Sequence, residues 1–245
     1  MEKKITIQAT RFDPEKDRAP RLQTYEIPFS DQSMVVLDAL NYIKAHVDGS
    51  LSYRWSCRMG ICGSCGMMVN GTPKLTCNAF VRDYWPRPIV VNPLSNFPVV
   101  RDLVIDIEDF MRKLKSIKPW IIRKQDLPLG AGEHRQTTAQ IDDFRQFSQC
   151  INCMLCYAAC PVYGLNDEFL GPAAIALARR YNLDSRDQGT RERLPVIAHS
   201  EGIWECSFVG ECSVVCPKGV DPAKAIQQTK LDTTMRFVLP YGNRE

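Results

Sequence analysis

The sequence predicts an α+β chain, with a strand-rich N-terminal part followed by a helical C-terminal part. Three observations carry this. Ile5, Ile7 and Ala9 alternate with polar residues, and residues 23–29 alternate again, which is the two-residue period of strands. From Asp102 the apolar residues Val104, Ile107, Phe110, Met111 and Leu114 recur at helical spacing. The cysteines divide the same way, with Cys57, Cys62, Cys65 and Cys77 in the first part and Cys150 to Cys216 in the second.

In order, residues 4–10 read as a strand, the prolines Pro14 and Pro20 mark a turn region, and residues 23–29 pair back as a hairpin. Ser33 reads as the N-cap of a helix carrying Val36, Leu37, Leu40, Ile43 and Val47, ended by Gly49. Residues 66–69 form a strand, Asn70-Gly71 is a hairpin turn, and a return strand at 73–77 delivers Cys77. A short strand follows at 89–91. Prolines 86, 88, 93 and 98 precede a domain boundary near residue 105. Residues 125–137 read as a loop and 140–147 as a helix. Gly171-Pro172 opens a helix over 173–181, which has good helical propensity. Residues 187–198 are partly helical, with Pro195 as an interruption. Asp221-Pro222 starts a last helix over 223–233, with proline at its first position.

The chemistry lies in the cysteines. Cys57-x4-Cys62-x2-Cys65, with Cys77 beyond, is the plant-type spacing for a [2Fe–2S] cluster. Glycines 60, 63 and 66 let such a loop wrap a cluster and aim amides at its sulfurs. Arg58 either offsets cluster charge or is an ordinary exposed arginine. Cys150, Cys153, Cys156, Cys160 and Pro161 form the bacterial C-x2-C-x2-C-x3-C-P run, whose fourth cysteine ligates the other cluster. Cys206, Cys212, Cys216 and Pro217 follow the same template, with Val209 at the second position. Cys150, Cys153, Cys156 and Cys216 are therefore expected to hold a [4Fe–4S] cluster. Cys160, Cys206 and Cys212 are expected to hold a [3Fe–4S] cluster, because valine offers no lone pair to a fourth iron. Val209 is either a core residue or a filler that keeps water from that corner. A structural zinc site would use paired CxxC motifs around one tetrahedral ion, which this spacing does not supply.

Composition sets bounds. The chain has 245 residues, 44% hydrophobic and 24% charged, with a net charge of +3, which gives no concentrated basic stripe for nucleic acid. No apolar run reaches the roughly 18 residues of a transmembrane helix, and no secretory signal follows Met1. Eleven cysteines cannot all pair, and with no export signal they point to a reducing cytoplasm and metal chemistry. His46, His134 and His199 lie away from the cysteine runs, which leaves haem or Rieske ligation without support. No G-x-G-x-x-G fingerprint is present.

Over nearly its whole length the chain resembles the iron–sulfur subunit of succinate dehydrogenase and quinol:fumarate reductase. The resemblance rests on the stretches from Tyr53 to Met59, Cys62 to Met68, and Cys150 to Cys153, with Gly171-Pro172-Ala173-Ala174 and Cys216-Pro217-Lys218. The all-cysteine first set, Cys160-Pro161-Val162-Tyr163-Gly164-Leu165-Asn166 and Cys206-Ser207-Phe208-Val209-Gly210-Glu211-Cys212 look like the fumarate reductase version. The resemblance implies a plant-type ferredoxin (β-grasp) domain over 1–105 and an all-helical bacterial-type ferredoxin domain over 106–245. It implies electrons drawn from menaquinol at one or two membrane anchor subunits. They would pass through [3Fe–4S], [4Fe–4S] and [2Fe–2S] clusters to FAD in a flavoprotein subunit that reduces fumarate, and no catalytic residue would lie on this chain. It also implies a peripheral position on the cytoplasmic face of the inner membrane, and a quinone pocket that includes Ser207, Phe208, Gln227 and Lys230. Succinate oxidation by the same assembly and a free-standing electron carrier are the other readings. Trp120, Trp204 and the tail 237–241 are apolar candidates for partner contact or for packing.

Overall fold

The structure is a computed structural model that describes residues 3–29, 32–125 and 127–238. It divides into two compact units. Unit 1 comprises Met1–Glu108 and Ile151–Ala159, and unit 2 comprises Asp109–Cys150 and Cys160–Glu245.

Unit 1 is built on a five-stranded sheet in the order β2-β1-β5-β3-β4. The strands are β1 (Lys4–Arg11), β2 (Arg21–Pro28), β3 (Gly66–Val69), β4 (Thr72–Leu75) and β5 (Ile89–Asn92). β1 pairs antiparallel with β2 and parallel with β5, which places Ile7 between Tyr25 and Ile89. β3 joins the other side of β5 and pairs back to β4. Ile5, Ile7 and Ala9 all face inward, as the alternation requires. Helix α1 (Val36–His46) lays Val36, Leu40 and Ile43 onto that face, and Leu51, Met67 and Val91 join the same core. Arg11 ties the sheet to its loops. It bonds Asp102 at 3.0 Å, Tyr25 Oη at 2.9 Å and Ser50 Oγ at 2.7 Å, and it also pairs with Asp48.

Four local expectations change here. The N-cap of α1 is Val35, not Ser33, because the Asp38 carboxylate accepts the Val35 N–H at 3.2 Å. The helix ends at His46, before Gly49, because the Val47 and Asp48 amides both return to the Ile43 carbonyl. The return strand stops at Leu75, and Cys77 sits on a 3-10 turn, Thr76–Asn78. Residues after Asp102 are not yet helical. β6 (Val99–Arg101) and β7 (Val104–Ile105) form a hairpin whose Asp102 has φ 47°, and the helix begins only at Glu108.

Unit 2 is helical. It contains most of α2 (Glu108–Ser116), and α3 (Thr138–Ser148), α5 (Pro161–Leu165), α6 (Pro172–Leu183), α7 (Thr190–Ile197), α8 (Glu211–Val214) and α9 (Pro222–Val238). The short α4 (Leu155–Ala158) belongs to unit 1. α6 packs between α3 and α9, and Phe147, Ala176, Val220 and Ala225 form a core there. Thr137 caps α3 in a reciprocal box with Gln140. The Asp221 carboxylate accepts the Lys224 N–H at 2.9 Å, with Pro222 at the first position of α9. Pro195 does not interrupt α7. The Ala198 N–H still reaches the Leu194 carbonyl, so the proline removes one bond without ending the short helix. Trp120 and Trp204 are each about half exposed, which removes the core reading for both. Of the tail 237–241, residues 239–241 lie outside the described residues. Among the described residues no helix is long and apolar enough to cross a membrane.

Candidate metal centres

Within unit 1, Cys57, Cys62 and Cys65 lie on the loop between α1 and β3. Thr76 brings Cys77 to them, because its N–H and its hydroxyl both bond the Cys65 carbonyl, at 3.1 and 3.0 Å. The loop turns its amides onto sulfur. Ile61 and Cys62 N–H each donate to Cys57 Sγ at 3.3 Å, and Met59 N–H donates at 3.5 Å. The Cys57 N–H donates to Cys62 Sγ at 3.4 Å. Arg58 (φ 57°), Gly60 (φ 68°) and Gly63 (φ 76°) take left-handed conformations that aim successive amides into one concavity. These donors, the Met59 amide first, pull the Cys57 thiol down to about 6. Burial pushes the Cys77 thiol up to about 11, and its bond to Cys65 adds to this. A set of thiols ringed by N–H donors fits an anionic iron–sulfur group. Arg58 is paired with Asp38 at 2.6 Å and lies 5.6 Å over the Trp55 ring, so its charge is shared with a carboxylate.

Gly63 is also a point of close approach. A Cβ there would stand 2.8 Å from Cys153 Cβ and 2.9 Å from Cys153 Cα, so the bacterial-type run in unit 1 packs directly on the plant-type loop. Cys153 is buried and Cys156 half-buried on either side of Leu155. Asn96 donates to the carbonyls of Tyr157 at 2.9 Å and Ala158 at 3.3 Å, fixing the end of α4.

Within unit 2, Cys160, Cys206 and Cys212 line one open cleft, together with Ser207, Phe208 and Val209. Burial raises the Cys160 thiol, and it pushes Cys212 up to about 11, with Cys206 raising both further by its charge. Tyr163 N–H donates to Cys160 Sγ at 3.5 Å, and Phe208 N–H to Cys206 Sγ at 3.4 Å. Val209 is 55% exposed, which removes the core reading of that residue. Ser207 and Phe208 line the cleft, whereas Gln227 and Lys230 do not. Lys230 Nζ donates to the Cys206 carbonyl at 2.8 Å and lies 5.9 Å over the Trp204 ring. Gln227 Nε2 is buried with no hydrogen-bond partner among the described residues. Cys150 and Cys216 both pack against the Phe147–Ala176–Val220–Ala225 core.

The two bacterial-type runs repeat each other locally. Asn152 (φ 54°) and Met154 (φ 63°) precede α4, and Phe208 (φ 62°) and Gly210 (φ 88°) precede α8. Position by position, Val209 occupies the place of Cys153. Among the described residues no three His, Cys, Asp or Glu side chains form a set for a single metal ion. A cluster spreads its cysteines around several irons, and its ligands need not converge on one point.

In the cluster-free chain, iodoacetamide is expected to label Cys57 before the other cysteines at neutral pH. The rate should fall as pH drops below about 6, where the thiolate is lost. Peptide mapping reads this, and equal labelling of all cysteines would contradict the amide account.

Residues 6–112 match the 2Fe-2S iron-sulfur cluster binding domain family, and residues 146–220 match the 4Fe-4S dicluster domain family. The fumarate reductase iron-sulfur subunit of Mycobacterium tuberculosis is 57% identical, covering 98% of both chains. The Escherichia coli O157:H7 subunit of the same name is 53% identical, covering 97% of this chain and 96% of that one. A mitochondrial succinate dehydrogenase [ubiquinone] iron-sulfur subunit 3 of Arabidopsis thaliana is 40% identical, covering 90% of this chain and 72% of its own. Among solved structures, a chain of the Mycobacterium smegmatis Sdh1 complex in the apo form matches with a TM-score of 0.87 at 27% identity, covering 99% of this chain and all of that one. Two iron–sulfur binding domains in this order, on this fold and at this identity, place the chain in the family of iron–sulfur subunits of fumarate reductase and succinate dehydrogenase.

Proposed function

We propose that this chain is the electron relay of a membrane-bound quinol:fumarate reductase, working between menaquinol and a flavoprotein that holds FAD and reduces fumarate to succinate. The observation that carries this reading is the cleft lined by Cys160, Cys206 and Cys212, with Val209 standing where Cys153 stands in the matching run. In this reading Cys57, Cys62, Cys65 and Cys77 hold [2Fe–2S]. Cys150, Cys153, Cys156 and Cys216 hold [4Fe–4S], and Cys160, Cys206 and Cys212 hold [3Fe–4S]. When bound, these groups supply one-electron relay chemistry between quinol and flavin.

The chain's own residues do the rest. Amides of Met59, Ile61 and Cys62 offset negative charge at Cys57, and those of Tyr163 and Phe208 do so at Cys160 and Cys206. Ser207 and Phe208 face the quinone at the cleft, and Lys230 braces the loop behind them through the Cys206 carbonyl. Gln227 lies behind the cleft lining, with its buried Nε2 unpartnered among the described residues, and would reach a quinone only by turning toward the cleft. Exposed Phe208, Val214, Leu231 and Met235 suit the one or two apolar anchor subunits. Trp55, Met59 and Ile61, beside the first loop, suit the flavoprotein. The chain would then sit peripherally at the cytoplasmic face of the inner membrane.

The test is to purify the chain anaerobically with its partners, count iron and record EPR spectra. About nine irons per chain and a paramagnetic oxidised state are expected. Val209→Cys should raise the count to about ten and abolish the oxidised-state signal, as a fourth thiolate completes the cubane. About ten irons and an EPR-silent oxidised form in the unmodified protein would overturn the grouping. Likeness to the Sdh1 complex supports a second reading, with the same relay run toward quinone by succinate oxidation. Comparing rates of fumarate reduction and succinate oxidation in the purified complex separates the two directions.

A further inference from the structure

Tyr163 is tied at both ends. Its main-chain N–H donates to Cys160 Sγ at 3.5 Å, and its phenol O–H donates to Asp109 Oδ2 at 2.8 Å. Lys113, one turn along α2 from Asp109, completes the set. Its Nζ lies 2.7 Å from the same Asp109 oxygen and 4.6 Å from the centre of the Tyr163 ring, and it donates to the Asp167 carbonyl. The Lys113 side chain is only 7% exposed.

A lysine is rarely buried this far unless it is paired. Here the carboxylate, a carbonyl and the aromatic face together offset the cost of removing the ammonium from water. Burial favours the neutral Asp109 carboxyl, but bonds from Lys113 and Tyr163 outweigh it and hold the group ionised, below its ordinary range. Arg112 also reaches Asp109, from a side chain 74% exposed. Among the described residues, none of these charges touches a cysteine directly.

We propose that Lys113 and Asp109 are positioning residues that set the reduction potential of the [3Fe–4S] group at Cys160, Cys206 and Cys212, with Tyr163 as the mechanical link. The inference rests on that ligand assignment and goes beyond it. Adding one electron to the group adds one negative charge. A fixed cation favours that addition and a fixed anion opposes it; Lys113, 7% exposed, is screened little by solvent, and Asp109, 31% exposed, is screened more. Neither side chain gives up a proton or an electron.

The experiment is an EPR-monitored redox titration of the complete complex. Lys113→Met is expected to shift the one-electron equilibrium about tenfold toward the oxidised form, a midpoint lower by about 59 mV. Asp109→Asn is expected to move it the opposite way. Lys113→Arg keeps the charge and should titrate like the unmodified protein. Tyr163→Phe keeps both charges and should move the midpoint less than either charge change. The [2Fe–2S] midpoint, read in the same samples, should stay in place. A purely packing role cannot produce opposite signs from two near-isosteric changes. Unchanged midpoints, or shifts in the same direction, would overturn the inference while leaving the cluster assignment intact. Absence of an oxidised-state signal in the unmodified complex would overturn the assignment itself, and the inference with it. Should Lys113→Met fail to assemble, the Asp109→Asn and Lys113→Arg pair still decides, since a midpoint raised by the first and kept by the second is required.

Discussion

Gly63→Ala is expected to destabilise unit 1 by about 2–5 kcal/mol and to impair loading of the Cys57–Cys62–Cys65–Cys77 set. Two costs combine. An alanine held at φ 76° pays the left-handed penalty of about 1–2 kcal/mol. Its methyl would also stand 2.8 Å from Cys153 Cβ and 2.9 Å from Cys153 Cα, with the Ile151 carbonyl oxygen at 3.2 Å. Backbone atoms cannot rotate away as a side-chain tip can, so overpacking adds about 1–3 kcal/mol. Gly60 supplies the control. It has a similar φ of 68°, but a Cβ there meets nothing within 4 Å. Gly60→Ala should therefore show only the backbone penalty. Thermal unfolding of the two variants, with visible absorbance following cluster content, separates the terms. Equal shifts would mean that the close approach to Cys153 carries no energetic weight.

The second large effect lies in unit 2. The Arg193 side chain is fully buried, and both oxygens of Asp187 face it, at 2.7 and 2.9 Å. Its other donors reach the carbonyls of Trp120 at 2.6 Å and of Ile117 and Lys118 at 3.1 Å. One guanidinium thus satisfies the segment after α2 and the turn before α7 together. Arg193→Met is expected to cost about 3–5 kcal/mol, because it leaves Asp187 as a buried charge without its counterion. Arg193→Lys should recover only part of this, since a point charge cannot serve the planar fork. Urea unfolding reads both. A loss below about 1 kcal/mol for the methionine variant would show that Asp187 and the carbonyls find other partners.

Much of the fold is visible in the sequence because its determinants are local. The alternation of β1 and β2, the Asn70-Gly71 turn and the Asp221-Pro222 start of α9 each act within a few residues. What the sequence hides is set at long range. Asp102 begins a helical-looking apolar pattern, yet its carboxylate is held by Arg11, and the chain there turns into a hairpin instead. Ser33 has cap chemistry, but Asp38 and the Ala79 carbonyl place the helix start two residues later. The cysteine runs are legible because ligand spacing is itself a local property, while the sharing of Cys160 and Cys216 between runs belongs to the proposal. Lys113 is not, since Asp109 and Lys113 four residues apart on a helix look like any solvated ion pair until the Tyr163 ring of α5 lies against Lys113.

The segment Ile151–Ala159 belongs to unit 1 although more than forty residues of the other unit precede it in the chain. Leu155 and the Cys153 carbonyl stand against Gly66, Cys153 stands against Gly63, and Asn96 grips the end of α4. Unit 1 is thus stitched from two stretches, and the order of synthesis becomes part of its assembly. During translation the sheet and the plant-type loop leave the ribosome long before their last packing partner does. Maturation of the N-terminal centre must therefore wait for Ala159 to emerge or proceed on an unfinished surface. A protease cut after Glu108 would not release an intact ferredoxin, because a piece of its wall would remain on the other fragment.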